Sequence, residues 1–312
     1  SGGKFTATTG GGGMNVAEQR TTLRGTLKLD EPMAKHTSWR VGGPADHYYQ
    51  PADIDDLALY LSGLPDDEPV FWFGLGSNLL VRDGGIRGTV IAPSGRLKGL
   101  TVLDTTLVRA EVGVSSAKVA RFAADNNFTG CEFLAGIPGT VGGALAMNAG
   151  AFGGETWEVV KAVETINHRG EVRLRDKSEF DIAYRSVRGL DKEWFVAAHF
   201  KLNEGVADET RAQIKHLLAK RNASQPVQTA NAGSVFKNPE NDYAARLIES
   251  AGLKGTCIGK ACVSDVHANF IVNTGGAIAA DIERLIEKIR DEVQRQHGIT
   301  LQREVRIVGD AL

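Results

Sequence analysis

Apolar positions along the chain change period several times. Leu57, Leu61 and Leu64 recur at helical spacing behind Asp53, a good N-cap. Val70-Phe71-Trp72-Phe73 then reads as a strand that stops abruptly at Gly74. Strands are expected at Leu107–Val112, Val159–Ile166, Glu171–Leu174 and Trp194–Leu202. Between them, Ser115 caps a helix bearing Val119, Phe122 and Ala123. A helix over Asp208–Arg221 carries Ile214, Leu217 and Leu218. Another covers Asp242–Ala251 and is stopped by Gly252. The strand Phe270–Asn273 follows. The longest amphipathic pattern spans Ala279–Gln296, with Ile282, Leu285, Ile286, Ile289 and Val293 inward and Gly298 behind it. A strand at Glu304–Ile307 closes the chain, and no internal repeat is visible.

This mixture of helices and strands in 312 residues suits two or three lobes. Boundaries are expected at 14–88, 89–224 and 225–300, with Ser224-Gln225-Pro226 marking the last. Ser1–Gly13 is rich in glycine, threonine and serine, precedes Met14, and reads as a disordered expression tag rather than a signal peptide. Acids and bases are interspersed to a net charge of −2, so no basic stripe suits a nucleic acid. No apolar run is long enough for a membrane span. Cys131, Cys257 and Cys262 form no even framework and no metal-ligand spacing, so no metal is expected and a reduced, cytoplasmic setting fits.

Glycine changes the picture most. The 37 glycines cluster at 42–43, 74–76, 84–88, 136–143, 150–154 and 275–276. Gly74-Leu75-Gly76-Ser77-Asn78 follows a strand, where α/β proteins place ligands. Its backbone N–H groups can converge on one anion, with Ser77 and Asn78 adding side-chain donors. Gly136-Ile137-Pro138-Gly139-Thr140-Val141-Gly142-Gly143 leads into Met147-Asn148-Ala149-Gly150. Small residues there permit close approach to a flat or charged ligand, and Pro138 suits a helix N1 position. Neither segment is a dinucleotide fingerprint or a P-loop. Four further segments stand out: Tyr184-Arg185-Ser186, Gly233-Ser234-Val235-Phe236-Lys237-Asn238-Pro239, His267-Ala268-Asn269 and Glu304-Val305-Arg306. Singly, each has an ordinary explanation: Arg185 as an ion-pair partner, Ser234 as a turn residue, His267 as a packed histidine, Glu304 as a solvated acid.

Together, the order and spelling of these segments resemble the UDP-N-acetylenolpyruvoylglucosamine reductase family, from Ser38-Trp39-Arg40-Val41-Gly42-Gly43 to Glu304-Val305-Arg306. The resemblance implies an α+β architecture: a two-lobed FAD-binding fold of the vanillyl-alcohol-oxidase type plus a third α/β substrate-binding lobe, with 301–312 returning to the FAD-binding part. It implies an NADPH-dependent, FAD-containing oxidoreductase that reduces an enolpyruvyl ether in peptidoglycan precursor synthesis. Gly74, Gly76, Ser77, Asn78 and Leu79, with Gly136, Ile137, Pro138, Gly139, Gly142, Gly143, Asn148, Ala149 and Gly150, match its FAD-binding positions. Arg185, Ser234 and Glu304 match its catalytic trio, with Ser234 as proton donor. Tyr184, Asn238, His267 and Asn269 match substrate-side positions. A monomer acting on a small molecule and NADPH is expected.

Two departures matter. Only Ser186–Lys192 connects Tyr184-Arg185 to the next strand, so the chain resembles the type that lacks an inserted loop. A family lysine just before Pro226 is missing; Asn222 and Ser224 occupy the compared positions, and Lys220 or Arg221 supplies the charge instead. Two other readings remain open at this point: another FAD-dependent oxidase or dehydrogenase of the same fold, or a nucleotide-binding module without turnover. Residues 74–83 contain no histidine to tether a flavin, so a non-covalent FAD is expected.

Overall fold

The computed structural model describes residues 22–312; the expected tag, Ser1–Gly13, lies outside the described residues. The first lobe is a four-stranded sheet. Pro44–Gln50 pairs antiparallel with Thr26–Pro32 and parallel with Ile86–Ile91, which pairs parallel with Val70–Trp72. Ile86–Ile91 carries this sheet past residue 88. The helix Ile54–Ser62 crosses over, and the Asp53 carboxylate accepts from the Asp56 N–H at 2.9 Å. Leu57 and Leu61 are buried beneath it, while Leu64 is half-buried just past its end.

The second lobe is an antiparallel sheet in the order Val172–Asp176, Val160–Asn167, Glu193–Lys201, Leu107–Glu111, Leu100–Asp104. One face packs on the helices Ser116–Asp125 and Val141–Met147, with Val108, Ala110, Val163, Ile166 and Phe200 in the core. Strand alternation puts Arg109, Glu164 and His199 on the other face. Arg109 donates to both oxygens of Glu164 at 2.7 Å, and the His199 Nε2 lies 2.7 Å from the same carboxylate.

The third lobe stacks the sheet Ala230–Asn231, Ile271–Asn273, Ala261–Val263, Cys257–Ile258 against the helix Ala279–His297. Ile282, Leu285, Ile286, Ile289 and Val293 are buried there, and Gly298 ends the helix at φ +70°. Trp39 ties the first lobe to the third: its ring is fully buried and its Nε1 donates to the Ile271 carbonyl at 2.7 Å.

Four expectations need correction. Pro138 is not an N1 residue: Thr140 caps the helix Val141–Met147, three residues further on than Pro138 allows. The helix expected from Asp242 begins at Ala244, because the Asn238 side-chain oxygen accepts the Ala244 N–H and the Asp242 carboxylate takes the Tyr243 N–H. The last strand is Arg306–Val308, and Glu304 precedes it. Cys257 and Cys262 face each other across a tight hairpin, Cα atoms 4.1 Å apart, and are joined in a disulfide; a sequence count cannot see that register.

The Arg109 guanidinium, with His199, holds the Glu164 carboxyl down at about 2, against an ordinary value of 4.5. A depressed carboxylate contributes stability that is present above its unfolded value and lost as pH falls through the folded one. Glu164→Gln is therefore expected to cost about 2 kcal/mol at pH 7 and to lower the melting temperature by roughly 4 °C. The gap should close as the pH is taken down from 4.5. Thermal melts of both proteins across that range check this, and a gap independent of pH contradicts it.

Candidate active site

The strand Val70–Trp72 runs into the turn 74–78, whose next strand, Leu79–Val81, pairs parallel with Arg306–Val308. Among the described residues, none of the five consecutive backbone N–H groups from Gly74 to Asn78 meets an acceptor in the protein. Gly76 is buried, so its N–H is shielded from water as well. An unpartnered buried N–H is costly, and a row of them fits an anion that completes the turn. Gly76 has φ +61°, and a Cβ there would lie 2.8 Å from the Thr37 Cα and 2.9 Å from the Phe73 ring, so only glycine suits.

The second glycine run faces the first. A Cβ on Gly139 would sit 3.4 Å from the Ser77 hydroxyl, and one on Gly74 would sit 3.1 Å from the Thr140 hydroxyl. The two turns therefore leave a narrow cradle between them. Other members of the runs support it from behind. Gly142 packs on Val112 and Gly136 on the Phe152 ring. Leu79, Ile137 and Ala149 are buried. The Ala149 carbonyl takes both the N–H and the hydroxyl of Thr156. Gly143 borders the cap hydroxyl of Thr140. The Asn78 amide is engaged within the protein, donating to the Glu304 carbonyl at 3.1 Å and to the Met147 sulfur at 3.4 Å.

Arg185 and Glu304 meet beside this cradle, and the backbone around Ser234 adjoins them. Arg185 lies at the tip of the hairpin Asp181–Ala183/Ser186–Arg188, at φ +52°. Left-handed backbone is unfavourable for arginine, so the surrounding contacts impose it. Its Nε donates to Glu304 Oε1 at 3.1 Å, and its Nη1 and Nη2 donate to the carbonyls of Asn148 and Gly150. Glu304 is anchored in turn: its N–H donates to the Val235 carbonyl at 2.8 Å, one residue from Ser234. A Cβ on Gly233 would lie 3.9 Å from the Ser77 carbonyl, which places the Ser234 segment against the first glycine turn. Burial pushes the Glu304 carboxyl above its ordinary range, while Arg185 and Lys237 pull it back. The Lys237 Nζ reaches the Arg185 carbonyl at 3.4 Å.

The remaining expected residues are placed differently. The exposed Tyr184 ring lies beneath the Arg185 guanidinium, 4.9 Å from its carbon. Asn269 is buried, with its amide engaging both backbone groups of Phe236, so it shapes the Ser234 segment from within. His267 packs edge-on against Phe270, and burial lowers its pKa. Asn238 caps the helix Ala244–Ser250 and is itself exposed. Among the described residues, no hydrogen bond or ion pair joins His267 or Asn238 to the Arg185–Glu304 pair. Sequence reasoning passed over Thr140, whose position before Val-Gly-Gly was the available cap signal, and Glu155, which lies 3.7 Å from Arg185.

Comparison with known proteins decides the family. Residues 45–174 match the model of an FAD binding domain, and residues 225–308 match the C-terminal domain of UDP-N-acetylenolpyruvoylglucosamine reductase. The chain is 57% identical to a protein of that name from Legionella pneumophila (strain Lens), over 93% of this chain and 95% of that one. It is 56% identical to one from Methylococcus capsulatus, over 95% and 98%. The chain belongs to the UDP-N-acetylenolpyruvoylglucosamine reductase family. A crystal structure of that reductase from Thermus caldophilus superposes with a TM-score of 0.77 at 31% identity, covering 92% of this chain and all of that one. This reductase is an FAD-dependent oxidoreductase of peptidoglycan precursor synthesis, with NADPH as hydride donor. Its fold is the expected α+β FAD-binding type. The row of free N–H groups at 74–78 and the glycine cradle fit the diphosphate of FAD. Among the described residues, no helix is long and apolar enough to cross a membrane.

Gly139→Val is expected to fill the gap opposite Ser77 and lower FAD affinity by roughly tenfold or more, about 1.4 kcal/mol. The melting temperature of the apoprotein should hold. Flavin-to-protein absorbance after gel filtration checks this, and full FAD retention contradicts the cradle.

Proposed function

We propose that Arg185, Ser234 and Glu304 carry out the reduction of the enolpyruvyl ether of UDP-N-acetylenolpyruvoylglucosamine. Bound FAD, recharged by NADPH, supplies the hydride. Hydride arrival at the terminal carbon drives negative charge toward the substrate carboxylate. Arg185 faces that carboxylate, and a fixed guanidinium stabilises the developing dianion more than the ground state. Its planar fork suits two carboxylate oxygens. Glu304 works in its protonated form, since an ionised acid would repel the dianion; burial favours that form. The Ser234 hydroxyl then gives one proton to the alpha carbon from a defined face.

The observation that carries this reading is convergence. Residues 185, 234 and 304 come from three separate segments and are joined by the Arg185–Glu304 pair and the Glu304–Val235 backbone bond. The uridine diphosphate end belongs, on this reading, to the third lobe, with lobes bounded near 88, 224 and 300. Asn238 and His267 border it. Of the two basic residues near the missing lysine, Arg221 is the better diphosphate partner. It is half-buried, its guanidinium hydrogen-bonds Gln225, and burial lowers its pKa, whereas Lys220 is exposed. The enzyme acts as a cytoplasmic monomer.

Ser234→Ala should leave flavin reduction by NADPH near the wild-type rate. It should slow flavin reoxidation by substrate by about 10²–10⁴, the usual contribution of general acid catalysis. Anaerobic stopped-flow absorbance separates the two half-reactions, and equal loss in both removes Ser234 as proton donor.

A further inference from the structure

Arg185 is gripped from a side that the reaction does not use. Asn148 ends the helix Val141–Met147 in left-handed backbone, at φ +47°, and is almost wholly buried. Its side chain joins three segments. The amide donates to Glu155 Oε2 at 2.8 Å and to the Ala183 carbonyl at 3.2 Å, and the side-chain oxygen accepts the Trp157 N–H at 3.1 Å. Ala183 is two residues before Arg185 in the same hairpin. Asn148 therefore fixes the neck of the turn that carries Arg185 and, with the same amide, the carboxylate of Glu155.

The other Glu155 oxygen lies 3.7 Å from Arg185 Nη1. That is close enough for a strong charge interaction but too long for a hydrogen bond. Three of the five guanidinium N–H groups already have acceptors: Glu304, the Asn148 carbonyl and the Gly150 carbonyl. One N–H on each terminal nitrogen remains free, the number a carboxylate needs for a two-pronged bond. Gly150 makes this tight approach possible, because a Cβ there would lie 3.0 Å from Nη1 and 2.5 Å from the Gly154 carbonyl.

We infer that Glu155, held back by Asn148, is a positioning residue for Arg185. Its charge holds the guanidinium on the side away from Glu304 and keeps the two free N–H groups aimed at the substrate carboxylate. Without its charge, nothing draws the guanidinium back toward Asn148, and it swings toward the Glu304 acceptor and away from the substrate. This inference rests on Arg185 as the ligand of that carboxylate.

The test uses the FAD-loaded enzyme with Glu155→Gln, Glu155→Asp, Arg185→Lys and the double variant Glu155→Gln/Arg185→Lys. FAD content and melting temperature are checked first. Glu155→Gln is expected to leave flavin reduction by NADPH unchanged, to slow reoxidation by substrate about tenfold, and to weaken calorimetric binding of substrate to the oxidised enzyme by a similar factor. Glu155→Asp should recover most of both losses. In the Arg185→Lys background, Glu155→Gln should add almost nothing, because residues acting through one contact are non-additive. Independent, multiplying effects of the two changes overturn the inference, as does equal loss in both half-reactions. So does a normal Glu155→Gln enzyme beside a crippled Arg185→Lys enzyme. Near-normal reoxidation by Arg185→Lys itself is a different result: it removes the underlying role of Arg185 and the inference with it.

Discussion

The final strand, Arg306–Val308, lies parallel to Leu79–Val81 and brings a segment more than two hundred residues away to the end of the first glycine turn. Asn78 secures the junction on both sides, its carbonyl accepting the Arg306 N–H and its amide donating to the Glu304 carbonyl. The site follows from this one pairing. Glu304 is placed by it, the Ser234 segment is placed by Glu304 and by Asn269, and Arg185 finds its acid partner there. The residues just before this strand reach the core of the third lobe, where Val305 and Leu301 are buried.

The electrostatic design is a balance. Arg185 must be strongly held yet keep N–H groups free. Backbone carbonyls do most of the holding, and a carbonyl can take a hydrogen bond without adding a full charge to the pocket. On the proposed mechanism, Glu304 must sit beside that cation and stay protonated. Burial opposes the pull of Arg185 and Lys237 on its proton, and burial is the larger effect. The unfavourable backbone angle of Arg185 is the local cost of this arrangement.

Much of the fold was legible in the sequence because it rests on local signals. Asp53 and Ser115 cap helices where their positions indicated, and Gly298 ends the long helix whose apolar stripe named its buried face. The glycine runs were legible as turns, though not as two halves of one cradle, since that depends on a tertiary approach of Ser77 to Gly139. Arg185, Ser234 and Glu304 gained meaning only together and in family context; each alone looks like a surface or turn residue. What was missed was which residues pair with which. The Cys257–Cys262 pairing depends on hairpin register. The partners that the Asn148 and Asn269 amides find within the protein, its backbone and Glu155, could not be read from the sequence either. A buried asparagine and a liganding one are spelled alike.

The most direct test of the account is anaerobic stopped-flow of the wild-type enzyme in two mixes, NADPH first and UDP-N-acetylenolpyruvoylglucosamine second. NADPH is expected to bleach the flavin band and the enolpyruvyl substrate to restore it, with one UDP-N-acetylmuramate formed per flavin. A colourless protein that takes up no FAD, or a bleached flavin that the substrate leaves bleached, would contradict it.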